Sequence, residues 1–157
     1  MKKYRLLAAL TLCMAGSAAA AGLTVPTLSL EQANRLADAA IAACQARGYP
    51  VSVTVVDRSG VTLASQRMDN AGPHTVQASF RKAWTALSTK TASGKVMESA
   101  QKNPGAQHMS DIPGFLLLAG GLPVKVDSKV IGAIGIGGAP GGQLDESCAQ
   151  EALDKTR

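Results

Sequence analysis

The chain has 157 residues, 46% of them hydrophobic, with one Trp, two Tyr and two Phe and a formal net charge of +5. That length suits one domain able to bury its own core. So few aromatics exclude the stacking platforms of single-strand nucleic-acid binders, and the modest positive excess is no footprint for nucleic acid either.

Residues 1–21 read as an export signal: Lys2, Lys3 and Arg5 form a basic n-region, 6–15 is apolar, and Ala18 to Ala21 offer small residues for cleavage near Ala20-Ala21. The apolar run is shorter than the roughly 20 residues of a membrane span. Cys13 lies inside that run behind bulky Leu12, which does not suit a lipoprotein site. The expected mature chain, 22–157, is periplasmic or secreted. Its net charge is +2, because the three signal cations leave without an acidic residue.

Ser29, with Gln32 three residues on, predicts a capping box. Ala33, Leu36, Ala37, Ala40, Ile41 and Cys44 follow at helical spacing, and Gly48 and Pro50 end the helix. Residues 51–57 (VSVTVVD) and 61–69 (VTLASQRMD) predict a hairpin across Asp57-Arg58-Ser59-Gly60. A loop at 70–74 carries His74. The spacing of Val76, Phe80, Ala83, Trp84 and Leu87 then predicts a helix buried on that stripe, capped by Thr75. A weaker helix spans 93–102, and a loop at 106–114 carries His108, Met109 and Asp111. Short strands are expected at 115–118, 122–126 and 130–138, with a last helix over 144–155.

The segment 130–142, VIGAIGIGGAPGG, organises the rest. Glycines inside a strand pack nothing and mark a place where other backbone or a ligand comes close. A central strand covered tightly by a helix is expected. The run lacks GK[ST] and a G-x-G-x-x-G spacing, and Asp145 and Glu146 would repel an anion, so nucleotide binding is not supported. Those two carboxylates fit the dipole at a helix start. Two hairpin systems separated by helices give an α+β domain with an antiparallel sheet of about five strands.

Candidate chemistry is sparse. HExxH, CxxC and G-x-S-x-G are all missing. His74 and His108, each in a loop beside Gly and Pro, are candidate ligands for a metal or haem iron, with Met109 as a soft neighbour. Arg67, Arg81 and Lys82 are candidate partners for ligand carboxylates. Cys44 and Cys148 remain after cleavage. An even count in an oxidising compartment allows a disulfide, while their places on apolar helix faces slightly favour buried thiols.

The segments at 28–44 (LSLEQANRLADAAIAAC), 51–69, 82–91 (KAWTALSTKT) and 113–138 (PGFLLLAGGLPVKVDSKVIGAIGIGG), followed by Asp145-Glu146, occur in an order that resembles the GlcG/HbpS-type haem-binding domains, also found C-terminal in PduO-type proteins. The resemblance implies a PAS- or profilin-like domain, with a five-stranded antiparallel sheet carrying helices on both faces. It also implies even-numbered homo-oligomers, and haem or tetrapyrrole binding in some members, with roles in haem handling or redox stress. Relatives thought to ligate through a first-helix histidine find no counterpart here, since residues 30–47 contain none; His74 or His108 would have to serve. The alternatives are a lyase or other enzyme on a small carboxylate, using Arg67 or Lys82 with His74 as base, and a module that serves assembly alone.

Overall fold

The computed structural model describes residues 22–157, so the expected export signal lies outside the described residues. The elements run α1 (Leu30–Gln45), β1 (Ser52–Asp57), β2 (Thr62–Arg67), α2 (His74–Thr89), α3 (Ser93–Lys102), a 3-10 helix over Pro104–Asp111, β3 (Gly121–Val126), β4 (Lys129–Gly137) and α4 (Gly142–Lys155). The sheet is antiparallel throughout, in the order β2-β1-β4-β3. The glycine-rich β4 is therefore internal, with Thr54 opposite Gly135 on one side and Gly121 opposite the same glycine on the other.

Alternation along β1 and β4 divides the molecule into two layers. Val53, Val55, Ile134 and Ile136 join the main core with Ala33, Leu36, Ala37 and Ala40 of α1 and Cys148, Ala149 and Ala152 of α4. α1 starts with the expected capping box: the Gln32 N–H donates to Ser29 Oγ at 3.2 Å, and the Ser29 N–H donates to Gln32 Oε1 at 3.0 Å. α1 and α4 are joined by a Cys44–Cys148 disulfide with Cα atoms 5.5 Å apart. The small residues beside both sulfurs bring the helices close enough for the bond, which overturns the slight preference for buried thiols.

The opposite face of the sheet belongs to α2. A Cβ built on Gly135 would fall inside the Ser79 carbonyl oxygen and 2.6 Å from the Ala83 nitrogen; one on Gly121 would strike the Lys82 carbonyl. Helix backbone thus rests directly on strand backbone, the close approach that the glycine run predicted.

Two expectations need correction. Among the described residues the sheet has four strands, not five. Residues 115–118 run along α2 and α3 as coil, and side chains satisfy their backbone groups. The Leu116 N–H donates to Thr85 Oγ1 at 2.9 Å, the Arg81 guanidinium donates to the Phe115 carbonyl, and Ser93 Oγ donates to the Leu118 carbonyl at 2.6 Å. A strand ladder is not required where such partners exist.

The buried stripe of α2 is also rotated from its predicted position. Thr75, Ser79, Lys82, Ala83, Thr85 and Ala86 are buried, whereas Phe80, Trp84 and Leu87 are half-buried and Val76 is exposed. Only small side chains fit against a glycine strand, so the bulky residues turn outward. Trp84 then packs against Phe80, with ring centroids 5.9 Å apart, and lies over Gly60 and Gly114.

Candidate functional site

The residues expected to carry chemistry divide between the interior and the surface. Lys82, expected as a partner for a ligand carboxylate, is buried against a carboxylate of the chain itself: its Nζ donates to Asp145 Oδ2 at 2.7 Å and to the Ile136 carbonyl at 3.0 Å. Asp145 is buried in turn and accepts from the Ala139 N–H at 3.0 Å with its other oxygen. Burial pushes the Asp145 carboxyl above the usual carboxylate range, against the opposing pull of the Lys82 charge and of hydrogen bonds from Lys82 and Ala139. The pair ties α2 to the start of α4 across the end of β4. It leaves Lys82 no free donor geometry on the surface, and it gives Asp145 a role beyond its helix dipole.

A pair of buried hydroxyl contacts continues the same seam. Ser52 Oγ meets Thr75 Oγ1 at 2.7 Å, and Thr54 Oγ1 meets Ser79 Oγ at 2.8 Å. Ser52, Thr54 and Ser79 escaped the sequence reading, and Thr75, expected as the cap of α2, lies within the helix and turns its hydroxyl into this seam. The available signal was a row of small residues on α2, Thr75, Ser79, Ala83 and Ala86, at the same spacing as the bulky stripe.

His74 opens α2 rather than lying in the preceding loop; it is exposed, and its ring packs beside Gly72. Arg67, at the end of β2, donates to the Ala71 carbonyl and so braces the turn leading to His74. His108 and Met109 sit in the 3-10 helix, where a loop was expected. Pro104 starts that turn, and Asn103 caps it through a 2.9 Å bond from the Gly105 N–H. The His108 side chain is 77% exposed, its Nδ1 is 3.1 Å from Asp111 Oδ2, and its Nε2 is 3.1 Å from the Gln107 amide nitrogen. Both contacts are satisfied together by one tautomer: Nδ1–H donates to the carboxylate, and the Nε2 lone pair accepts from Gln107. No described contact joins His74 to His108. Among the described residues, no cluster of three His, Cys, Asp or Glu forms a metal cage.

Haem iron needs few protein ligands, so the fit rests on donor chemistry. An imidazole with a carboxylate on Nδ1 and its Nε2 lone pair directed outward is the arrangement a metal-bound histidine adopts. His108 meets that requirement; only the exposed Gln107 amide would have to turn aside. Two surface clefts, of about 750 and 770 Å³, lie elsewhere: one beside β3, the other against Trp84 and Leu87.

Fold and seam define an α+β domain whose four-stranded antiparallel sheet lies between an apolar helix pair and one closely seated helix. Residues 28–154 match the family described as haem degrading protein HbpS-like, and the chain belongs to that family. The crystal structure of HbpS resembles it with a TM-score of 0.81 at 38% identity, covering 86% of this chain and 94% of that one. The haem complex of PduOC is similar at a TM-score of 0.73 and 29% identity, covering 82% and 94%. GlcG of Escherichia coli K12 is 34% identical over 109 residues, 69% of this chain and 80% of GlcG. The corrinoid adenosyltransferase PduO of Salmonella typhimurium is 32% identical, but this chain spans only 39% of its length.

Proposed function

We propose that the mature chain is an exported, self-associating protein that binds haem or a related tetrapyrrole, with His108 as the protein ligand to iron. The observation that carries this reading is the His108–Asp111 contact, which orients an exposed imidazole and serves no packing purpose. Kinship with HbpS and with a PduO domain that forms a haem complex supports the ligand class. The Cys44–Cys148 bond supports export, because such bonds persist in oxidising compartments. Asp111 holds the ring, Met109 follows it in the 3-10 helix, and Arg67 and His74 remain the second-ranked polar group, at the start of α2. Lys82 is already held by Asp145, which leaves the enzyme reading Arg67 as its carboxylate anchor. Bound haem would supply redox-active iron; the chain's own part is to hold it and fix the ligand's tautomer.

Titrating the mature protein with hemin tests the proposal. A Soret shift is expected for the natural chain and for His74→Ala, and loss of that shift for His108→Ala. Asp111→Asn should weaken binding by about 10- to 100-fold, as loss of a supporting carboxylate does at metal sites. An unchanged shift in His108→Ala overturns the assignment. Light scattering of the same samples reports self-association.

A further inference from the structure

The cleft of about 750 Å³ beside β3 has a consistent chemistry that the haem reading does not use. Its apolar walls include Leu36, Leu122, Ile131 and Leu153, while Arg35, Lys90, Lys95, Lys125 and Arg157 surround it with no Asp or Glu among its lining residues. Arg35 and Arg157 are paired outside it, with Glu31 and Asp154. Lys90, Lys95 and Lys125 form no ion pair among the described residues.

Two backbone features bear on what fills it. Lys90 caps α2 in the left-handed conformation, φ 55°, where glycine would be easier. A lysine there puts a long cation between this cleft and the one against Trp84, which Lys125 also borders, at the expense of backbone comfort. β3 is an edge strand, yet Pro123 lies within it, its register shifts between Val124 and Lys125, and Lys125 is charged. All three features oppose pairing with another strand, so this edge is poorly made for a second copy of the chain.

We propose that this cleft binds a small amphipathic organic anion, an apolar body lying along Leu36, Leu122 and Ile131 with its carboxylate met by Lys90, Lys95 and Lys125. The volume falls within the range of ordinary small-molecule sites. His108 does not line the cleft, so this site and the proposed haem ligand are separate.

The mature protein is titrated with 8-anilinonaphthalene-1-sulfonate, followed by competition with decanoate or decanol. Fluorescence enhancement and displacement by decanoate, but not by decanol at the same concentration, are expected. Lys90→Gly should weaken decanoate binding about fivefold while leaving Tm unchanged or raised, since glycine relieves the left-handed strain. The Lys95→Ser/Lys125→Ser double variant should weaken it about tenfold or more, in keeping with charge-assisted bonds. His108→Ala should bind decanoate like the natural chain, so failure of the haem reading leaves this result untouched. Equal displacement by decanol, or natural affinity in the lysine variants, overturns the proposal. An oligomer dissociated by Lys95→Glu/Lys125→Glu, with no decanoate binding in the natural chain, assigns the cleft to a subunit interface and also overturns it.

Discussion

The two faces of this sheet are built on different rules. Towards α1 and α4 the strands present Val53, Val55, Ile134 and Ile136, and the layer is held by apolar burial and one covalent bond. Towards α2 the same strands present Ser52, Thr54, Val56, Ala133, Gly135 and Gly137, and the layer is held by backbone contact, a small apolar cluster of Val56 with Ala83 and Ala86, two hydroxyl pairs and a buried ion pair. A face filled with branched side chains can repack around a lost or added methyl group. Where carbonyls rest on Gly135 and Gly121, no side chain is left to move.

The sharpest way to break the contrast is Gly135→Val. Its new side chain would occupy the place of the Ser79 carbonyl and the Ala83 backbone, and loss of soluble folded protein is expected by circular dichroism and size exclusion. Ile134→Val, one residue away on the other face, should cost only about 0.5–1.5 kcal/mol in a denaturant melt.

Next in size is the ion pair. Lys82→Met alone strands a buried carboxylate and should cost about 3–5 kcal/mol, whereas Lys82→Met with Asp145→Leu should recover most of that loss. The pH dependence follows from the raised Asp145 carboxyl. The folded chain takes up this proton before the unfolded chain does. Its contribution to stability is therefore present at acid pH and falls as pH rises through the raised value. Chemical denaturation across that window should show this slope in the natural protein and not in the double variant.

On the apolar face, reducing the Cys44–Cys148 bond, which spans 104 residues of sequence, should lower stability by about 2–5 kcal/mol. A Cys44→Ala/Cys148→Ala variant should remain folded, because the surrounding Ala and Leu packing is retained. A collapse of that variant to the unfolded state would show that the two faces differ less than described.

Much of this architecture was legible in the sequence because local chemistry and fold agree. The Ser29–Gln32 capping box, the VSVTVVD strand and the glycine run each name one structure, and each formed. The rotated face of α2 was not legible in the same way. A bulky apolar stripe and a small-residue stripe share that helix, and only the glycine partner strand decides which is buried. The ion pair joins residues 63 positions apart, and no periodicity marks such a partnership. The apparent strand at 115–118 misleads because three leucines and a phenylalanine look alike whether their backbone pairs with a strand or with side chains of α2 and α3. His74 and His108 were found as residues, but their settings, a helix start and a 3-10 turn with a carboxylate on one ring nitrogen, required coordinates.

The most direct test of the functional account is resonance Raman spectroscopy of the reduced, haem-loaded protein with nitrogen-15 histidine. An iron–imidazole stretching band that shifts with the isotope is expected in the natural chain and in His74→Ala, and its loss is expected in His108→Ala. A band that survives in His108→Ala, or no isotope-sensitive band in the natural protein, would contradict it.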